Sequence, residues 1–270
     1  MRYYPGLAAR PPLRYKLIVR GVLVTGASRG IGRAVALAFA EAGDRVAVHG
    51  TQAHEELHAT LAGLPGDGHA LVTGDLGDPE VAHRIVTDAV TTLGQVDVLV
   101  NNAAVAPTAA NSHHPAEVGY QDWVAVWQRM ITVNLLGAAN VSWAVARHLI
   151  DRGAPGSMVN VGSRGAFRGE PDHPAYGAAK AALHALGQSL AVALAPHSIS
   201  VTSVAPGFVA TERQQAKLDG ERGDALRSES PFGRVGTPEE IARTVLHLAD
   251  PGSVWASGTV VDLNGASYLH

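Results

Sequence analysis

The segment TGASRGIG, residues 25–32, joins a short apolar run to an Ala-rich stretch of helical period at 31–42. Its glycines, Gly26, Gly30 and Gly32, have the spacing G-x-x-x-G-x-G. Glycine permits the positive φ angles of a tight turn and lets the backbone approach a ligand closely, while the following helix offers free N–H groups. The segment therefore predicts a strand–turn–helix unit suited to a pyrophosphate. A plain turn that needs positive φ is the alternative.

The same alternation of short β-branched runs and longer Ala-rich runs continues along the chain. It is typical of a parallel sheet with helices on both faces, and no linker divides it. The predicted strands are 21–25, 45–49, 70–74, 96–101, 157–161, 199–204 and 259–263. The predicted helices are 31–42, 53–62, 79–93, 121–150, 175–195 and 238–249.

Composition excludes several classes of protein. The 270 residues suffice for one large α/β domain, and a net charge of −3 without basic blocks gives no sign of nucleic-acid or membrane-surface binding. The absence of cysteine excludes disulfides and thiolate metal sites. We find no stretch with the roughly 18 apolar residues of a membrane span, so we expect a soluble, cytoplasmic protein. Residues 1–18 are interpreted as an N-terminal extension.

The end of the second predicted strand bears on which dinucleotide would bind. An acidic residue there hydrogen-bonds a ribose 2′-hydroxyl and repels a 2′-phosphate. No carboxylate occurs in 45–54; Gly50 stands in the expected place and Thr51 follows it. Arg29, in the glycine-rich turn, is placed to meet a phosphate, although it could be a solvated charge and Thr51 only a helix cap. Together these residues favour NADP(H) over NAD(H).

Tyr176 and Lys180 stand four residues apart in PAYGAAKAAL, residues 174–183. On a helix they share a face, so we expect the ammonium to lower the pKa of the phenol toward the range useful for acid–base catalysis. Ser163, just past a strand, could hydrogen-bond a substrate carbonyl, and Asn134 is an unexpected amide in an apolar helix. A surface Tyr–Lys pair, a capping serine and a core asparagine are the alternatives.

With TGASRGIG, NNAA (101–104), Asn134, Ser163 and the Tyr176–Lys180 pair in this order, the sequence resembles the short-chain dehydrogenase/reductases. The resemblance extends from about residue 19 to about 265. It implies a doubly wound, Rossmann-like α/β fold, a single domain over 19–270 with a seven-stranded parallel sheet, and a homotetramer or homodimer. Ala104 replaces the usual last glycine of NNAG, a mild departure.

The resemblance also implies a catalytic set and a cofactor site. Tyr176 would be the general acid and base, supported by Ser163 and Lys180, with Asn134 in a water-mediated proton relay through Lys180. Asp75 and Leu76 would hold the adenine. Together with Thr51, the expected cofactor-binding residues are Gly26, Ser28, Arg29, Gly30, Ile31, Gly32, Asp75, Leu76, Asn102, Ala103, Tyr176, Lys180, Pro206, Gly207, Val209 and Thr211.

The implied reaction is NADP(H)-dependent hydride transfer between nicotinamide and a ketone or secondary alcohol. The segment after Phe208 resembles 3-oxoacyl-acyl-carrier-protein reductases, but also many sugar, polyol and steroid reductases, so the small-molecule substrate stays open. An acidic carrier would favour a basic patch, for which Arg129, Arg147 and Arg152 are scattered candidates. A non-catalytic NADP(H)-binding regulator of the same fold is the alternative function.

The region 207–236 is expected to form a lid over the substrate. The stretch 104–119 is a second long loop on the ligand side. No metal site is expected: His54 and His58, four residues apart, are interpreted as part of a solvated helix face, and His113 and His114 are adjacent in a loop.

Overall fold

The structure, a computed structural model, describes residues 19–269. The expected extension at 1–18 lies outside the described residues. Seven parallel strands form one sheet in the order β3-β2-β1-β4-β5-β6-β7, which confirms the predicted fold class. The strands are β1 (Gly21–Val24), β2 (Arg45–Gly50), β3 (Ala70–Thr73), β4 (Val98–Asn101), β5 (Gly156–Val161), β6 (Ile199–Pro206) and β7 (Val260–Leu263).

Helices cover both faces of the sheet. They are α1 (Gly30–Glu41), α2 (Glu55–Ala62), α3 (Pro79–Leu93), α4 (Tyr120–Ile131), α5 (Ala138–Arg152), α6 (Gly165–Arg168), α7 (Pro174–Leu194), α8 (Gln215–Asp219), α9 (Gly223–Ser228) and α10 (Pro238–Leu248). Successive strand residues point to opposite faces. Accordingly, Val22 and Val24 pack in a core with Phe39, whereas Leu23 packs in the opposite core with Ile85.

The strand order reverses at β1, which pairs with β2 on one side and β4 on the other. The connections that leave these strands run to opposite sides, so a crevice opens at their carboxyl ends. In open α/β sheets ligands bind in this crevice. The glycine-rich turn follows β1 directly, so the topology places it at the crevice.

The helix predicted over 121–150 is not continuous. It is divided into α4 and α5 by a π-helical turn at Thr132–Gly137. The sequence did not reveal the widened turn, because its residues continue the apolar helical pattern and include no proline that would mark an irregularity. Asn134 lies inside this turn, and a Cβ at Gly137 would lie 2.8 Å from the carbonyl oxygen of Leu76. Such turns recur at functional sites.

Two further features differ from or add to the expectations. The region 207–236 contains two short helices, α8 and α9, that apolar periodicity did not predict because they are polar and only five and six residues long. The helix Pro174–His197 is long and apolar enough to span a membrane by length and composition, contrary to the expectation that no stretch was. Its Lys180 side chain is buried in the fold, and the helix packs on β6.

Candidate active site

A cavity of about 710 Å³ opens at the carboxyl ends of the strands. All the residues expected to bind the cofactor line it, from Gly26 in the first turn to Thr211 beyond β6. Ser163, Tyr176 and Lys180 line the same cavity. The fold therefore brings the expected cofactor residues and three of the four expected catalytic residues to one site.

The glycine-rich turn has the geometry that close ligand approach requires. Gly26 and Gly30 have φ angles of 66° and 55°, in the left-handed region that glycine adopts freely. A Cβ at Gly32 would lie only 2.1 Å from the carbonyl oxygen of Gly26. The Asn102 amide donates to the Thr25 and Gly26 carbonyls, both at 2.9 Å, which ties the turn to β4. The turn thus fits a pyrophosphate at the α1 N-terminus.

His49 is a site residue that the sequence reasoning missed. It is buried at the end of β2, and its Nδ1 accepts the Gly26 N–H at 3.3 Å while Nε2 lies 3.0 Å from the Gly74 carbonyl. Burial lowers the pKa of His49, which favours the neutral ring that these two contacts need. The only sequence signal was a polar residue inside an otherwise apolar strand.

Glu212 is a second site residue that was not identified from the sequence. Its carboxylate accepts the Gly30 N–H at 3.1 Å and pairs with Arg33, also at 3.1 Å. The side chain therefore occupies the positive end of the α1 dipole, where the resemblance places a pyrophosphate. An anion entering this turn would compete with Glu212.

The region around the β2 end matches the expectation in part. Arg29 and Thr51 are exposed and line the cavity. As expected from the sequence, β2 itself contains no carboxylate. Glu56, at the start of α2, adds an acidic group to the lining that the sequence reasoning missed. The Asp75 carboxylate accepts a hydrogen bond from Arg129 at 2.9 Å. Burial acts to raise the pKa of Asp75, but the hydrogen bonds from the Gly77 N–H and from Arg129 have the larger combined effect, so the pKa is lowered.

Tyr176, Ser163 and Lys180 come together as predicted. Ser163 follows β5, and its hydroxyl hydrogen-bonds the Tyr176 phenol and accepts the Gly165 N–H at 3.0 Å. Tyr176 is the third residue of α7. Lys180 is buried one turn later; its Nζ donates to the Val161 carbonyl at 2.8 Å and lies 5.9 Å from the centroid of the Tyr176 ring.

The expected lowering of the Tyr176 pKa is wrong for this arrangement. Burial raises the pKa of the phenol, while the Ser163 hydrogen bond acts in the opposite direction. Lys180 does not reverse this, because its ammonium is directed to the Val161 carbonyl and burial lowers its own pKa to about 8. The phenol therefore keeps its proton at neutral pH, which is the state that a proton donor needs.

Asn134 lies behind the cavity wall rather than in it. Its amide is buried, with Oδ1 accepting the Val105 N–H at 2.7 Å and Nδ2 donating to the Val105 carbonyl at 3.0 Å. The alternative of a core asparagine satisfied by backbone thus describes its direct contacts. Through these contacts Asn134 holds the loop that forms the adjacent cavity wall.

Arg213 is a cation at the site that the sequence reasoning missed. It lines the cavity from the region 207–236. Burial lowers its pKa, the neighbouring charge of Arg29 does the same, and Tyr176 acts in the opposite direction. Its signal in the sequence was hidden in a run of polar residues without periodicity.

Residues 26–265 match a protein-family model described as "Enoyl-(Acyl carrier protein) reductase". The chain is 35% identical over 252 residues to an L-rhamnose 1-dehydrogenase (NAD(P)(+)) of Sphingomonas sp., covering 92% of this chain and 96% of that protein. It is 38% identical over 252 residues to L-xylulose reductase of Bos taurus, covering 93% and 97%. A solved dehydrogenase/reductase from Sinorhizobium meliloti has a TM-score of 0.82 at 29% identity, covering 93% and 95%.

The burial of Lys180 predicts that its ammonium titrates well below the usual lysine range. The chain has only three lysines, so ¹³Cε-lysine NMR of a deuterated sample should resolve them. One resonance, absent from the Lys180→Met variant, should titrate with a pKa of about 8. Titration of that resonance at roughly 10.4, the value of an exposed lysine, would contradict the burial argument.

Proposed function

The chain belongs to the short-chain dehydrogenase/reductase family, and we propose that it is an NADP(H)-dependent oxidoreductase that transfers hydride between nicotinamide and a ketone or secondary alcohol. The observation that carries the proposal is the Tyr176 phenol, hydrogen-bonded to Ser163 and one helical turn from buried Lys180, in the cavity that also contains the glycine-rich turn. This combination joins a proton donor to a pyrophosphate cradle.

The protein residues of this site divide the work of carbonyl reduction. Ser163 accepts the Gly165 N–H on its oxygen, and its one O–H, which is engaged with the Tyr176 phenol in the structure, would donate to the carbonyl oxygen of a bound substrate. Tyr176, protonated at neutral pH, transfers the Oη proton to that oxygen. Lys180 is proposed to return a proton to Tyr176 through water, while Asn134, whose amide is bonded to the Val105 backbone, would support this step by holding the adjacent cavity wall. When bound, the nicotinamide supplies the hydride to the carbonyl carbon.

The substrate is proposed to be a small carbonyl compound rather than a carrier-bound acyl chain. The three arginines that could face an acidic carrier are each engaged by a carboxylate: Arg129 with Asp75, Arg147 with Asp151 and Arg152 with Asp97. The names of two relatives refer to L-rhamnose and L-xylulose. These observations favour a polyhydroxylated ketone or a sugar.

We also propose a cytoplasmic homotetramer, with a homodimer as the smaller assembly. Large apolar side chains are exposed at two places in the chain: Trp255, five residues before the edge strand β7, is 97% exposed, and Trp143 on α5 is 59% exposed. An edge strand and exposed tryptophans are features suited to burial against a second copy. Sedimentation equilibrium distinguishes these assemblies from a monomer, and fractionation of cells tests the location.

The proposed activity predicts NADPH oxidation that depends on a ketone. The panel contains keto sugars, a 3-oxoacyl thioester mimic and quinones, with absorbance of NADPH as the measurement. Turnover should be highest with a keto sugar and should fall about 10²-fold in Ser163→Ala, because a donor to the carbonyl oxygen is lost. Tight NADPH binding without turnover across the panel would indicate a non-catalytic regulator instead.

The proposed cofactor preference rests on Arg29 and on the absence of a carboxylate at the end of β2. Calorimetric titration should show tighter binding of NADPH than of NADH. Arg29→Ser should weaken NADPH binding about tenfold or more, by loss of a charge-assisted hydrogen bond, and leave NADH nearly unchanged. Arg45→Ser, at the other end of β2, is the control. Tighter NADH binding by the unaltered protein would overturn the preference.

A further inference from the structure

The loop 104–119 contains a histidine with an unusual degree of burial. His113 is fully buried, and its ring packs edge-on against Trp123 of α4 and against His173, with centroid distances of 5.8 and 5.9 Å. In the sequence His113 was notable only as one of two adjacent histidines with no expected metal. Its surroundings in the structure contain aromatic rings and backbone groups instead.

The two hydrogen bonds of the His113 ring define its tautomer. Nδ1 lies 2.9 Å from the carbonyl oxygen of Asn111, and a carbonyl only accepts, so Nδ1 carries the proton. Nε2 lies 3.0 Å from the backbone nitrogen of Ala175, and an N–H only donates, so Nε2 accepts. Both bonds can form only with a neutral ring.

The Ala175 N–H belongs to the first turn of α7, where backbone donors have no partner within the helix. The preceding residue, Pro174, has no N–H, and His173 at the N-cap makes no side-chain capping bond. His113 therefore caps α7 from a position 62 residues earlier in the chain. Tyr176 is the next residue after the capped one.

Further bonds join the same loop to the same helix start. The His113 N–H donates to the Asp172 carbonyl at 2.8 Å, and His173 Nε2 lies 3.0 Å from the Thr108 carbonyl. The beginning of the loop, 104–106, lines the cavity. The loop that walls the cavity and the helix that carries the phenol are thus held as one unit.

We propose that His113 is a positioning residue. By capping α7 with its neutral ring, it holds Tyr176 in place relative to the cavity wall formed by residues 104–106. This role rests on the proposed carbonyl chemistry. His113 does not touch the reacting atoms. Its loss should therefore impair the use of the ketone and leave the glycine-rich turn, which it does not contact, intact.

The kinetic test compares His113→Leu and His113→Gln with the exposed control His197→Leu. In His113→Leu we expect kcat to fall about tenfold or more and KM for the ketone to rise, with a smaller increase in Kd for NADPH, because only Tyr176 and Lys180 of the expected cofactor-binding residues lie on α7. His113→Gln, whose amide oxygen can accept the Ala175 N–H, should recover most of kcat. Equal losses in both variants, or weakening of NADPH binding as large as the loss in kcat, would show a general structural role and overturn the proposal.

Hydrogen–deuterium exchange provides a readout that does not depend on turnover. The peptide that begins α7 should exchange faster in His113→Leu than in His113→Gln or the control, whether or not any ketone is reduced. Unchanged exchange in that peptide would refute the cap itself. Faster exchange in a protein without reductase activity would retain the cap and reject the proposed function. If His113→Leu does not fold, His113→Gln is compared with the parent. Parent-like exchange of the α7 peptide and near-normal kcat support the cap, whereas faster exchange together with a reduced kcat overturns it.

Discussion

The parallel pairing of all seven strands is the constraint on which the site depends. Because every strand runs in the same direction, the carboxyl ends of β1, β2, β4, β5 and β6 meet at one edge, and the residues that follow them share one cavity. Positions far apart in the chain, such as Gly26, Ser163 and Pro206, become neighbours for this reason alone. The reversal of strand order at β1 opens the crevice that a long dinucleotide requires.

Within that cavity, burial controls the ionisation of the two central groups. Burial raises the pKa of Tyr176, so the phenol is protonated at neutral pH. Burial also lowers the pKa of Lys180 to about 8, only moderately above neutral pH. Each group retains one polar partner, the Ser163 hydroxyl and the Val161 carbonyl. A protonated phenol is the form that can donate a proton to a carbonyl oxygen.

The local features of the fold were predictable from the sequence, whereas contacts between distant segments were not. Strand positions followed from β-branched runs, and Gly26, Ser163, Tyr176 and Lys180 followed from motif order. The π-helical turn around Asn134 left no mark in the periodicity, because it alters the helix without proline. His113 capping Ala175 and Glu212 seated on Gly30 join residues 62 and 182 apart, so only the folded chain reveals them. The direction of the Tyr176 pKa shift also required the burial of the side chain to be known.

The central claim is that the Tyr176 phenol donates the proton in carbonyl reduction. Its most direct test is the single-turnover rate of Tyr176→Phe with bound NADPH and the best ketone, beside the Kd for NADPH. The account predicts a rate loss of about 10²- to 10⁴-fold, the usual contribution of a general acid, with NADPH binding nearly unchanged. A variant that binds NADPH normally and keeps near-full turnover would contradict it.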